Sequence, residues 1–250
     1  MPLLRYDRHG SGPPLVWLHG FTQTRSSAHQ FRTILTGTHE LLTPDLPGHG
    51  DAAHIIATLE ETADLLVEAL PPDPFALGGY SYGARVALHI ALRHPHRISR
   101  LIVLGASRGI HDRSERELRR ERDEALAQRI LEIGTHDFLD EWLAQSMFAS
   151  LPADDLERAA RSTDALGLSN SLRSSGAGTQ EWLGGQLSRI NVPTLALAGE
   201  RDEKFTIEAH AIAEEVPNGT FHALANAGHA AHLEQPVSAA LAVQSFLLSA

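Results

Sequence analysis

Cysteine is missing from the 250-residue chain, which excludes disulfides, thiolate metal centres and a cysteine nucleophile. Lysine is almost missing too: of 21 basic Lys and Arg residues, Lys204 alone is lysine. No apolar run approaches the roughly 18 residues needed to cross a bilayer, so a membrane-inserted chain is not expected. Met1 to Gly10 carries Arg5, Asp7 and Arg8 in place of the apolar core of a secretory signal. Excess positive charge is lacking as well. The formal charge of −10 is opposite to what a nucleic-acid binder needs. No internal repeat or low-complexity tract interrupts the chain. What remains is 42% hydrophobic and 21% charged, enough for one sizeable domain with a buried core. The expectation is a cytoplasmic globular protein, a monomer or weak homo-oligomer.

Short apolar runs alternate with helical patterns. Pro14–Leu18, Glu40–Thr43, Phe75–Leu77, Arg100–Leu104, Pro193–Ala198 and Thr220–Leu224 have strand length and end at turn-forming residues. Between them, Ala57–Leu70, Tyr82–Arg93, Thr206–Val216 and Ala231–Leu248 carry apolar residues three or four apart. Strands apolar on both faces, alternating with helices, predict an α/β fold with a mostly parallel sheet covered on both sides. The alternation stops between Arg108 and Arg189, where Glu115–Ile133, His136–Phe148 and Ala153–Leu166 read as amphipathic helices. The division expected is a core formed by residues 1–107 and 189–250, with residues 108–188 inserted as a helical lid.

Gly79-Tyr-Ser-Tyr-Gly83 sits between a strand and a helix, the setting of a nucleophile elbow. Such a turn places Ser81 on a sharp bend crowded enough to require glycine on either side. The N–H of Tyr82, at the start of the following helix, would face a developing oxyanion. A nucleophilic serine needs a base, and the base an orienting acid. In this fold the chain order is Ser, acid, His. Asp202 follows one predicted strand and His229 the next; Glu200 and Glu203 compete as the acid, His232 as the base. His19-Gly-Phe-Thr22 follows the first predicted strand, and the N–H of Phe21 or Thr22 would be a second oxyanion donor. Asp45-Leu-Pro-Gly-His-Gly50 reads as a structural turn. His229-x-x-His232 lacks the acid cluster of a zinc site, and Gly176-Ala-Gly-Thr lacks the strand and lysine of a phosphate loop. No metal is expected.

Taken together, these residues resemble the α/β-hydrolase superfamily over nearly the whole chain. Within it the chain resembles the 2-succinyl-6-hydroxy-2,4-cyclohexadiene-1-carboxylate synthases of menaquinone biosynthesis. The marks are Gly79 to Arg85, Asp45 to Gly50, Trp142 with Phe148-Ala-Ser-Leu151, and Ser171-Leu-Arg173 with Gly176-Ala-Gly-Thr-Gln180. Gly199 to Phe205 and Ala227-Gly-His-Ala-Ala-His-x-Glu234 complete them. The resemblance implies a carbon–oxygen lyase that eliminates pyruvate from a small polycarboxylate without a cofactor. It further implies Ser81, His229 and Asp202 as catalytic residues and the Phe21 and Tyr82 amides as the oxyanion hole. Tyr80, Arg85, Trp142, Phe148, Arg161 and Lys204 are implied to bind substrate.

Departures are also visible. The family often has Arg after the acid of the lid helix, whereas Asp123 is followed by Glu124, with Arg120 and Arg122 about a turn away. A Trp common after the His-Gly-Phe turn is replaced by a stretch containing His29 and Phe31. Two other readings use the same residues: a serine-dependent carboxylic-ester or carbon–carbon bond hydrolase, and a non-catalytic small-ligand receptor.

Overall fold

Seven strands form one sheet in the computed structural model, which describes residues 4–152 and 157–249. In chain order they are β1 (Tyr6–His9), β2 (Pro14–Leu18), β3 (Glu40–Pro44), β4 (Phe75–Tyr80), β5 (Ile98–Leu104), β6 (Thr194–Gly199) and β7 (Gly219–Leu224). Their spatial order is β1-β3-β2-β4-β5-β6-β7. Only β1 runs antiparallel to its neighbour. Every residue of β4 and β6 is buried, as a sheet covered on both faces requires. The polar strand Tyr-Asp-Arg-His of β1 has no apolar run to announce it; it is a half-exposed edge held by backbone pairing to β3.

The period-two geometry of a strand divides the core. Val16, Leu18, Leu77 and Val103 point to one face, where α2 (Leu59–Ala69), α3 (Tyr82–Arg93) and α6 (Glu203–Glu215) cover them. Leu15, Trp17, Ile102 and Leu104 point to the other, beneath α1 (His29–Leu35) and α8 (Pro236–Leu248). The single helix expected over Ala231–Leu248 is two, α7 (Ala231–Glu234) and α8. Pro236 carries no N–H to continue the ladder, and the break falls at Gln235.

Between β5 and β6 lie α4 (Arg113–Leu143) and α5 (Ala165–Ser175), packed on each other. The two helices expected at Glu115–Ile133 and His136–Phe148 are halves of α4, which kinks at Gly134 where φ is +77°. Ser146–Phe148 is a separate 3-10 turn. The helix expected over Ala153–Leu166 is not formed in the described residues: Arg158–Ala160 is one 3-10 turn, and Arg161 bridges to Gln23 in extended form. Residues 153–156 of that stretch lie outside the description.

Sheet order places the site. From β2 the chain crosses outward to β3, then returns past β2 to β4. Loops leaving the carboxyl ends of β2 and β4 therefore diverge, opening the crevice that parallel α/β sheets use for ligands.

Candidate active site

Ser81 stands between β4 and α3 with φ +50° and ψ −105°, a conformation outside the regions natural to an L-residue. Holding it costs about 1–3 kcal/mol, offset by surrounding constraints. The Ser81 N–H donates to Leu104 O at 2.8 Å, and its carbonyl accepts the Arg85 N–H at 3.0 Å. Close packing explains the flanking glycines. A side chain on Gly79 would meet the backbone of Gly83, and one on Gly83 would strike the Leu18 and His19 carbonyls.

The bend presents Ser81 Oγ at 3.1 Å from His229 Nε2. His229 Nδ1 in turn lies 2.7 Å from Asp202 Oδ2. A carboxylate only accepts, so Nδ1 carries the proton and Nε2 is left with its lone pair toward Ser81. Asp202 also caps α6, its Oδ1 accepting the Phe205 N–H at 3.3 Å. The cap orients one oxygen while the other holds the imidazole. Glu200 is instead engaged with the Asn226 N–H, and Glu203 is an exposed residue of the first turn of α6. The His229 loop is braced from behind: Glu234 accepts the Gly228 N–H at 2.7 Å and the Ala230 N–H at 3.1 Å, on either side of the imidazole. His232, the competing base, is buried against the rings of Tyr80, Trp17 and Phe31. Burial pushes its pKa down to about 3. This arrangement can take a proton from the serine hydroxyl and hold the imidazolium that results.

Of the two candidate donors in the turn after β2, the Thr22 N–H is already used. It donates to His49 Nε2 at 3.3 Å. The N–H groups of Phe21 and Tyr82 have no acceptor among the described residues, and both residues line the cavity in front of Ser81. Gly20 is required because the Tyr80 ring lies against it, leaving no room for a side chain.

That cavity encloses about 590 Å³ between the strand ends and α4, within the range of small-molecule sites. Among the described residues Arg85, Arg119, Arg122, Arg201 and Lys204 line it, against one carboxylate, Asp202. Arg85 lies one helical turn beyond Ser81. Its guanidinium is held by neutral acceptors: Ser175 O at 2.9 Å, with Gly176 O and Gln180 Oε1 at 3.3 Å. Burial lowers its pKa to about 10, so it stays charged. A half-buried guanidinium without a carboxylate partner among the described residues favours an anion in the space it faces. Apolar walls come from Phe21, Leu126 and Trp142, with Trp142 edge-on to Phe21 at 5.2 Å.

An alpha/beta hydrolase fold model matches residues 13–236. The chain belongs to the alpha/beta hydrolase fold family. Within this family, a 2-succinyl-6-hydroxy-2,4-cyclohexadiene-1-carboxylate synthase of Yersinia pestis bv. Antiqua is 33% identical over 95% of this chain and 88% of its own. The MenH structure from S. aureus has 30% identity and a TM-score of 0.88, covering 99% of this chain and 98% of that one. A malate-bound thermophilic esterase from Thermogutta terrifontis has 26% identity and a TM-score of 0.84, covering 98% and 92%.

Not every substrate contact expected of this hydrolase-fold chain reaches the cavity. Arg85, Trp142 and Lys204 line it, Lys204 from an exposed position over the Phe205 ring. Tyr80 does not: its ring is buried between Gly20 and His232. Phe148 is buried against Trp142 and His229 and lies behind the lining. Arg161 is also buried, donating to Thr22 Oγ1 at 2.6 Å, so it grips the oxyanion turn and lies outside the lining.

Sequence reasoning missed Arg119 and Arg201, and left Arg120 and Arg122 undecided. Arg122 faces the cavity, whereas Arg120 borders a groove on the outer side of the insertion. The narrow Gly176-to-Gln180 motif has a local physical cause. Asp123, buried in α4, accepts the Gly178 N–H at 2.8 Å, and Gln180 ties Arg85 to the Ser107 carbonyl.

Proposed function

We propose that the protein eliminates pyruvate from 2-succinyl-5-enolpyruvyl-6-hydroxy-3-cyclohexene-1-carboxylate, giving 2-succinyl-6-hydroxy-2,4-cyclohexadiene-1-carboxylate in menaquinone biosynthesis. One observation carries this reading: a serine hydroxyl bonded to a carboxylate-held imidazole opens onto a cavity lined, among the described residues, by five cationic side chains and one acid. That charge balance suits a substrate with three carboxylates. The synthase name of the Yersinia relative, 33% identical over 95% of this chain, supports the same choice.

The ring double bond of the substrate lies at carbon 3, and those of the product at carbons 2 and 4. Removing the proton at carbon 2, next to the succinyl ketone, moves the electrons through the ring and breaks the bond from carbon 5 to the enolpyruvyl oxygen. Ser81, deprotonated by His229, takes that proton, and Asp202 stabilises the imidazolium. Negative charge gathers on the ketone oxygen, where the Phe21 and Tyr82 amides receive it. The departing enolate is protonated to pyruvate. The cations Arg85, Arg119, Arg122, Arg201 and Lys204 hold the carboxylates, and the insertion acts as a lid over them. No cofactor enters these steps.

A second reading, ester hydrolysis through an acyl-serine, is favoured by the likeness to the thermophilic esterase. Coupled detection of pyruvate separates the two. Stoichiometric pyruvate from the enolpyruvyl substrate is expected; cleavage of p-nitrophenyl esters with no pyruvate release overturns the lyase. A receptor is the remaining alternative, and it would turn over neither. Among the described residues no helix is long and apolar enough to cross a membrane.

A further inference from the structure

The Asp45-to-Gly50 turn supplies no group to the proton transfers, yet it delivers one side chain to the back of both oxyanion donors. His49 is fully buried. Its Nδ1 lies 3.0 Å from Pro47 O, and because a carbonyl only accepts, Nδ1 carries the ring proton. Nε2 is therefore the acceptor for the Thr22 N–H. The ring stacks on Tyr82 with 5.6 Å between centroids and meets Phe21 edge-on at 5.6 Å. Burial, aided by His19, pushes the pKa of His49 to about 3, so the acceptor survives across the working range of an enzyme.

Thr22 is what this ring controls. Its φ of +68° is unfavourable for a β-branched residue. It is held by contacts from separate parts of the chain: His49 on its N–H, Arg161 on its hydroxyl, and the Ser162 N–H on its carbonyl at 2.7 Å. The Phe21–Thr22 peptide is thereby fixed, and the Phe21 N–H is one residue away. Without an acceptor the buried Thr22 N–H would be orphaned, and the turn would rotate to satisfy it.

We propose that His49 is a positioning residue for the oxyanion hole: its neutral Nε2 draws the Thr22 N–H away from the cavity and so presents the Phe21 N–H beside that of Tyr82. This inference rests on the proposed function only in supposing that an oxyanion forms. Misplacing one donor should lower kcat and leave substrate binding alone.

The experiment is steady-state kinetics of pyruvate release for the wild type, His49→Phe, His49→Asn and His49→Gln. Phe keeps the ring packing without an acceptor. Asn is too short to reach Thr22 and serves should the Phe variant not fold. Gln carries an oxygen at about the reach of Nε2. His49→Phe and His49→Asn are expected to lower kcat on the order of 10–100-fold with KM within about threefold, and Gln to recover most of the loss. An unchanged kcat, a change confined to KM, or a Gln variant no better than Asn overturns the proposal. A wild type that releases no pyruvate defeats the lyase reading instead. The same four proteins are then compared on p-nitrophenyl acetate, whose hydrolysis also passes through an oxyanion, and the same outcomes decide.

Discussion

The floor of the cavity around Ser81 and the walls above it handle charge in opposite ways. On the floor around Ser81, polar groups are paired or neutral. His229 is bonded at both nitrogens, Asp202 at both oxygens, and His19 and His49 are buried with both ring nitrogens engaged. On the walls, cations from α3 (Arg85), α4 (Arg119, Arg122) and the β6–α6 junction (Arg201, Lys204) reach the cavity with few partners among the described residues. Arg119 has Asp123, whereas Arg85, gripped by the turn after α5, has only neutral acceptors among the described residues. Reaction chemistry needs fixed geometry, which a satisfied hydrogen-bond network supplies. Recognition of a multiply charged anion needs cationic capacity left over, which the walls have.

The largest expected effects test the floor. Ser81→Ala and His229→Ala should each lower kcat by about three orders of magnitude or more while leaving the melting temperature nearly unchanged. Stopped-flow pyruvate release with a parallel thermal melt checks this. A variant keeping a tenth of wild-type turnover would remove its residue from the proton relay.

Smaller effects should mark the opposite wall and sharpen its distinction from the floor. Arg85→Ala leaves a substrate carboxylate unpaired, at a cost of roughly 2–5 kcal/mol, read as a fall of about 30-fold or more in kcat/KM. Arg122 is exposed to solvent, so Arg122→Ala should cost only about threefold to fivefold, mostly in KM. Arg120→Ala, on the outer groove, should stay within about twofold. Equal losses at Arg120 and Arg122 would mean that the helix acts by its overall charge, with no side chain directed at substrate.

The contrast between the two regions is also a contrast in legibility. That Ser81, Asp202 and His229 meet could be read because their placement depends on local rules: a strained turn needs glycine neighbours, and strand-end loops bring their residues to one edge. Phe21 and Thr22 could not be separated, since the acceptor that occupies the Thr22 N–H, His49, lies 27 residues further along the chain. Arg119 and Arg122 were hidden for another reason. On a helix with charge around most of its circumference, periodicity does not say which arginine looks inward; the packing of α4 on α5 decides. Tyr80 and Arg161, implied by resemblance to bind substrate, lie outside the cavity lining, where the Tyr80 ring packs on His232 and Arg161 donates to Thr22 Oγ1. The edge strand β1 has no apolar pattern to detect: it is held by backbone pairing to β3 and by the Arg8–Glu40 ion pair between the two strands.

Acid stability offers the smallest effect and a final division between the regions. Burial lowers the pKa of His19 and His89 to about 4, and of His49 and His232 to about 3, from an ordinary value of 6.5. All four belong to the core. Below pH 6.5 the unfolded chain binds protons at these rings and the native chain does not, so stability is full above that pH and falls as acidity rises toward pH 4. The loss at pH 5.5 is roughly 1 kcal/mol per ring. In the insertion, Glu124 is lowered from 4.5 to about 2 by Arg173 and Gln128, and Glu141 is lowered by Arg129. Carboxylates shifted that way give up stability only below pH 4.5, leaving the window from 4.5 to 6.5 to the core. Urea unfolding at pH 7.0 and 5.5 is therefore expected to show a clear loss in the wild type. His232→Phe, set among Tyr80, Trp17 and Phe31, should reduce that loss by about one ring's share. A wild type equally stable at both pH values would show that these rings accept protons in the native state, and the neutral character assigned to the core would fail with it.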